Sequence, residues 1–293
     1  MTCTLCPRGC GALRLPRTGS GVCGMGTDIV AARAAPHFWE EPCISGDRGS
    51  GAVFFSGCPL NCVFCQNRQI SAERYGKAIT VERLGEIFRE LVDLGVHNIN
   101  LVSPTHFAPA IIEALRRDKP PVPVIWNSSG YESVSTLRAL EGLVDIYLPD
   151  MKYALEAPAR RYSAAPDYFR YAKAAILEMY RQTGDYVLDG DGMLQSGVVI
   201  RHLVLPSNLE NTFRVIDWAE ETFTEGQVMF SLMSQFTPTP ACADYPEINR
   251  PLSEWEQEQA VGYFMDSAIV DGFYQELDAS GQGFVPKFDL TGI

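Results

Sequence analysis

The stretch Ser56-Gly57-Cys58-Pro59-Leu60-Asn61-Cys62-Val63-Phe64-Cys65-Gln66-Asn67 places three thiols at Cys-x3-Cys-x2-Cys spacing, directly after the apolar run Ala52-Val53-Phe54-Phe55. Thiolates held this close can share one soft metal site, because zinc and iron–sulfur clusters both favour cysteine sulfur. Four ligands complete such a centre, and the loop offers three. Two readings follow. A structural zinc loop would recruit Cys43 or Cys242 as a fourth ligand, whereas a catalytic centre would leave one coordination position open for chemistry.

Upstream lies a second thiol group, Cys3-Thr4-Leu5-Cys6-Pro7-Arg8-Gly9-Cys10 followed by Gly21-Val22-Cys23-Gly24. Seven of the nine cysteines fall into these two groups, a clustering that disulfide scaffolds have no reason to show. The N-terminus lacks a basic run followed by an apolar one, so the expectation is a cytoplasmic chain whose cysteines serve metals. The four leader thiols, set among Gly and Pro, suit tetrahedral zinc or a second iron–sulfur cluster; the alternative is a flexible tail of reduced surface cysteines. Between the groups, residues 40–50 read as a Gly- and Ser-rich connector. The chain divides at that point into a Cys-rich extension, 1–50, and a main body, 51–293.

Beyond the loop, apolar runs alternate with helical periodicity. Strands are expected at 52–55, 99–102, 122–126, 144–148, 198–205 and 228–233. Helices are expected at 81–94, 108–115, 133–140, about 166–182, 211–222 and 253–270. Residues 184–197 read as a polar turn or hairpin, and 280–293 as a loosely packed tail or a lid. Six strand–helix repeats demand parallel strands with right-handed crossovers, hence an α/β fold, either an open doubly wound sheet or a closed or partial barrel. No Gly-x-Gly-x-x-Gly follows a strand, so a dinucleotide-binding sheet lacks support. In a barrel the chemistry collects at the carboxyl ends of the strands, where the cysteine loop stands.

At 293 residues and 46% hydrophobic, the chain has material for one barrel-type domain plus an appendage. A net charge of −12 argues against general affinity for nucleic-acid phosphates. No run of about 18 uncharged apolar residues predicts a membrane span.

The loop, including the aromatic Phe64 before its last cysteine, resembles the signature of the radical S-adenosylmethionine (SAM) superfamily. The longer string from Ser50 to Asn67 is similar to proteins of the pyruvate formate-lyase-activating-enzyme-like branch, which share a four-cysteine leader. The resemblance implies a six-stranded partial (β/α)6 barrel in which Cys58, Cys62 and Cys65 hold a [4Fe–4S] cluster whose fourth iron binds SAM. Reductive cleavage of SAM would yield a 5′-deoxyadenosyl radical that abstracts hydrogen from a substrate, for example a glycine of a glycyl radical enzyme. It further implies an electron donor such as flavodoxin or ferredoxin, and packing of Phe64 near the adenine.

The other strand ends supply the remaining site candidates. Ser103-Pro104-Thr105-His106 occupies the position where most activating enzymes carry Gly-Gly-Glu, so Ser103 and Thr105 would stand in as contacts to the methionine amino group. Asn127-Ser128-Ser129-Gly130 is similar to the activases' Asp-Thr-Asn-Gly, which helps hold a monovalent cation; with Asn127 one ligand charge is missing. Asp150-Met151-Lys152 puts two charges on one side of an extended segment. This is either a surface ion pair or, by resemblance, the group that meets the amino-acid end of SAM, Lys152 on the carboxylate and Asp150 on the ammonium or the cation. In Arg201-His202 one side chain must face the barrel interior, and the resemblance selects His202. Gln235 ends the sixth strand within reach of a ligand. Two rival functions stay open: a radical SAM enzyme acting on a small molecule or peptide, and a non-catalytic two-site metalloprotein.

Overall fold

A computed structural model of the protein describes residues 3–277 and 286–293. Strands β1 (Ile29–His37), β2 (Ser50–Phe55), β3 (Lys77–Ile79), β4 (Ile99–Val102), β5 (Val124–Ser128), β6 (Ile146–Pro149), β7 (Val187–Leu188), β8 (Leu194–Leu203), β9 (Met229–Met233) and β10 (Gly272–Tyr274) form one sheet. Its order is β10-β9-β8-β6-β5-β4-β2-β1-β3, with β7 paired to β8 off this path. From β2 to β10 along that order every pairing is parallel. Helices α3 (Val81–Asp93), α4 (Ala108–Arg117), α5 (Val134–Arg138), α7 (Tyr168–Thr183) and α8 (Leu209–Thr222) cross between strands, and α9 (Glu254–Met265) precedes β10. This is an α/β fold with a mostly parallel sheet, consistent with a radical SAM partial barrel.

The expected six strands are all present, as β2, β4, β5, β6, β8 and β9, and they lie side by side in that order. The expected count of six is corrected to ten among the described residues. The added strands are flanks whose sequences carry weak strand signals. β1 is an alanine-rich run, Ile-Val-Ala-Ala-Arg-Ala-Ala-Pro-His, and alanine is depleted in strands. β3, β7 and β10 are two or three residues long, too short to show any period. β1, β3 and β7 pair antiparallel with their neighbours, and β7–β8 is the hairpin expected in the insertion.

Helix ends follow local chemistry. Thr80 caps α3 by accepting a hydrogen bond from the Arg83 amide, and Leu84, Ile87, Phe88 and Leu91 form its buried stripe. Ser253 and Glu256 cap α9 reciprocally. Strand alternation then sorts the sheet's two faces. Leu101, Trp126, Tyr147, Val198 and Ile200 join the large core under the helices, while Ile125, Ile146, Leu148 and Val199 face the concave interior. The connector is more than a linker: it contains α1 (Pro42–Ser45), whose buried Cys43 and Ile44 join that interior group.

The expected tail falls partly outside the described residues. Its last residues, 286–293, pack on the sheet: Phe288 meets Phe54 edge-on at 5.5 Å between ring centres, and the Ala34 amide donates to Thr291 O at 2.8 Å.

Candidate functional site

The cysteine loop leaves β2 through Gly57, at φ 83°. A β-carbon there would sit 2.3 Å from Cγ of Met25, so the residue must be glycine both for conformation and for the leader packed on it. The loop's backbone is pinned to the body. The Gly57 amide donates to Ile70 O (2.8 Å) and the Val63 amide to Tyr162 O (2.9 Å), while the Cys65 amide closes a turn on Cys62 O (3.2 Å). His106 donates from Nε2 to Ser56 O (2.7 Å), just before the loop.

Cys58, Cys62 and Cys65 all line one cleft at the carboxyl ends of the parallel strands. Burial pushes the Cys58 thiol up to about 12, and the neighbouring Cys62 and Cys65 add to the shift. Burial also raises Cys62, against the opposing pull of the Lys152 ammonium and a hydrogen bond from Ser163. Cys58 and Cys62 are therefore costly to ionise by themselves, and a bound cation relieves that cost. Among the described residues no three Cys, His, Asp or Glu side chains stand close enough to grip a single metal ion. A single tetrahedral zinc would draw its sulfurs to within about 4 Å of each other, given Zn–S bonds of about 2.3 Å. A cubane attaches each thiolate to a different iron and tolerates the wider spacing. Three cysteine thiols lining one cleft are a donor set that suits such a cluster. Neither proposed fourth ligand joins the cleft: the Cys43 thiol lies 3.9 Å from Met229 Sδ in the interior core, and the buried Cys242 thiol contacts Thr239.

The facing wall carries the charges. Lys152 Nζ donates to Asp150 Oδ2 at 2.7 Å, and Arg201 Nε donates to Asp150 Oδ1 at 3.0 Å. Arg201 also donates to Glu40 Oε2 (2.8 Å) and Asn127 Oδ1 (2.7 Å). Asn100 and Asn127 both donate to Glu40 Oε1 at 3.1 Å. Burial favours the neutral acid at Asp150, but the Arg201 and Lys152 cations hold its carboxyl below the usual range. Burial likewise opposes the Lys152 charge, yet Asp150, with any thiolate at Cys62 or Cys65, lifts it to about 12. Both groups stay charged at neutral pH, in a pair only 15–17% exposed. This is no surface ion pair.

Of the other expected residues, Phe64, Ser103, Asn127, Ser128 and Gln235 line the cleft. Phe64 is buried, edge-on to Tyr153, Tyr162 and Phe236 at 6.1–6.4 Å. Ser103 takes φ 58°, a left-handed conformation unusual for serine. Thr105 instead points away, donating to Glu132 Oε1 at 2.6 Å.

The interior-facing assignment of His202 is corrected. His202 faces the helix layer, donating from Nδ1 to Met151 O (2.6 Å) and accepting at Nε2 from Thr212 on α8 (3.0 Å). Burial holds it neutral, with its pKa lowered to about 4. Arg201 takes the interior position because β8 alternates, putting Val199, Arg201 and Leu203 on one face. Glu40 and Arg201 are the site residues that sequence reading missed. The available signal was an arginine next to His202 within the largely apolar run 198–205, because an arginine buried there requires a carboxylate partner.

The leader cysteines sit apart from the cleft. Cys3, Cys6 and Cys23 are half-buried and Cys10 is exposed. Burial pushes the Cys6 thiol up to about 12.

Known proteins bear on this arrangement. An uncharacterized protein of Methanocaldococcus jannaschii is 31% identical over 221 residues, which are 72% of this chain, and the chain spans 61% of that relative's length. Streptococcus suis SuiB aligns with 75% of the chain and 47% of its own at 15% identity and a TM-score of 0.46. Escherichia coli QueE aligns with 75% of the chain and 91% of its own at 12% identity and a TM-score of 0.38. At these scores neither structural likeness bears on function. Residues 52–193, which include the cysteine loop and the Asp150–Lys152 pair, match the family model of the radical SAM superfamily.

Proposed function

We propose that this protein is a radical SAM enzyme of the glycyl-radical-activating type. One observation carries the radical SAM reading: three loop thiols and the charged Asp150–Lys152 pair line a single cleft where parallel strands end. Cys58, Cys62 and Cys65 would hold a [4Fe–4S] cluster, which when bound supplies the electron that cleaves SAM. Lys152 would take the SAM carboxylate, and Asp150, already held ionised, its ammonium group or a monovalent cation. Asn127 and Ser128 border the same space, and Phe64, on its wall, would pack beside the adenine. The buried wall of Phe64, Phe236 and Leu60 excludes water from the reacting atoms.

The finer reading rests on the activase-like string around the loop and on an open sheet. Among the described residues the strand path runs from β10 to β3 with no pairing between its ends. A partner's glycine-bearing loop needs such a flank, and a second hollow lined by Trp39, Glu41, Tyr274 and Gln275 adjoins the cleft there. In this reading the Cys-rich leader ahead of β1 is a metal-binding extension holding zinc or a second cluster, the sheet and helices from β1 onward are the barrel, and a cytoplasmic flavodoxin or ferredoxin supplies electrons.

The test is anaerobic incubation of the reduced, reconstituted protein and SAM with glycyl radical enzymes of the same cell. A glycine-centred doublet in electron paramagnetic resonance (EPR) supports activation. No doublet with any of them, despite 5′-deoxyadenosine formation, moves the substrate to a small molecule or peptide. Absence of iron and sulfide after reconstitution leaves the non-catalytic metalloprotein.

A further inference from the structure

Arg8, inside the Cys6-to-Cys10 turn of the leader, makes no use of a carboxylate in its four hydrogen bonds. Its Nε donates to Pro59 O (2.8 Å), one terminal nitrogen donates to Leu60 O (3.1 Å) and Ser163 O (2.6 Å), and the other donates to Ala164 O (2.5 Å). Two of these carbonyls belong to the cysteine loop. The other two end α6 (Glu156–Ser163), whose chain turns off through Ala164 in a left-handed conformation. The last carbonyls of a helix lack intrahelical donors and carry partial negative charge, which a guanidinium satisfies. Arg8 also lies 5.5 Å over the ring of Tyr131. One leader side chain thus ties the loop to the helix end.

What that tie positions is Ser163. Its buried hydroxyl donates to Cys62 Sγ at 3.0 Å, and Tyr153 OH lies 2.7 Å from the same hydroxyl oxygen. Tyr153 also bonds Cys62, so the two hydroxyls and the sulfur form one hydrogen-bonded relay. All three side chains are buried, where such relays polarise one another. Hydrogen bonds to ligand sulfurs are one of the levers that set iron–sulfur potentials, because they stabilise the more negative, reduced state.

We infer that Ser163, braced by Arg8 of the leader and supported by Tyr153, is a positioning residue that raises the reduction potential of a cluster held by Cys58, Cys62 and Cys65. The leader thereby acts on the loop site through a hydrogen-bond lever, whatever it holds among its own cysteines. The inference rests on the radical SAM reading above.

The experiment is an EPR-monitored redox titration of the anaerobically reconstituted full chain. In Ser163→Ala the midpoint falls so that about tenfold less cluster is reduced at a fixed poise, a shift of about 59 mV for a one-electron couple. Tyr153→Phe shifts it the same way by less. Arg8→Gln also lowers it and speeds amide exchange at Val63 and Ala164, and Arg8→Lys restores part of both. A full cluster with an unchanged midpoint in Ser163→Ala overturns the inference. Should Ser163→Ala hold no cluster, Tyr153→Phe decides by the same criterion. A parent chain that takes up no [4Fe–4S] cluster overturns the underlying reading, and this inference with it.

Discussion

The chain carries two groups of cysteines, and their surroundings differ more than their spacings do. The loop thiols Cys58, Cys62 and Cys65 stand at the end of a central strand, on a backbone pinned at Gly57, Val63 and Cys65, with a charged pair on the facing wall. The leader thiols Cys3, Cys6, Cys10 and Cys23 lie on irregular backbone outside the cleft, one of them exposed. The two groups therefore differ in setting, one on a pinned strand end inside the cleft and the other on irregular backbone outside it. Strand ends of a parallel sheet converge, and convergence brings a lysine, an aspartate and an arginine from distant parts of the sequence to the thiols.

The largest effect that can break this comparison is on the loop. Cys58→Ala, Cys62→Ala or Cys65→Ala each removes one of three protein ligands, so both the cluster's visible absorbance and 5′-deoxyadenosine formation should vanish. Retention of both in Cys62→Ala, the most buried of the three, would return the loop to a structural role. Replacing Cys3, Cys6, Cys10 and Cys23 together by serine should cost one metal centre by metal analysis and leave the loop cluster's spectrum intact, because Arg8 and Met25 still brace it. An unchanged metal count shows that the leader binds nothing.

On the charged wall, Lys152→Ala removes a charge-assisted bond to the SAM carboxylate. Such bonds are worth about 1.5–3 kcal/mol, so SAM affinity should fall by one to two orders of magnitude with the cluster's own spectrum unchanged. Equal affinity, measured by equilibrium binding to the reconstituted protein, would make the pair purely structural. The smallest effect concerns the leader's anchorage. Thr136 Oγ1 donates to Leu5 O at 2.9 Å, and Thr136→Val should lower stability by about 1 kcal/mol and expose the leader to limited proteolysis before the barrel. An unchanged proteolysis order would show that the leader's other contacts, those of Arg8 and Met25 among them, hold it down without Thr136.

The same contrast explains what could be read from sequence. The six central strands were legible because parallel strands covered on both faces are short continuous apolar runs. The flanking strands were not: β1 spends its positions on alanine, and β3, β7 and β10 are too short to show a period. At the site, the loop cysteines and Asp150–Lys152 were legible because their partners are local. The Glu40–Arg201 pair joins residues 161 apart and depends on the phase of β8, which its apolar neighbours on both faces leave undefined. The wrong choice of His202 over Arg201 is that ambiguity in a single residue. Charge decides it: a buried arginine demands carboxylates, and the concave face offers Asp150 and Glu40, while a neutral histidine is satisfied by a carbonyl and a hydroxyl under the helices.

The central claim is that the three-cysteine loop holds a cluster with one position open to SAM. Its most direct measurement is EPR of the anaerobically reconstituted, reduced protein with and without SAM, paired with product analysis. The account predicts one [4Fe–4S] signal assigned to the loop, altered on addition of SAM and accompanied by 5′-deoxyadenosine. A loop signal that SAM leaves unchanged, with no 5′-deoxyadenosine formed, would contradict it.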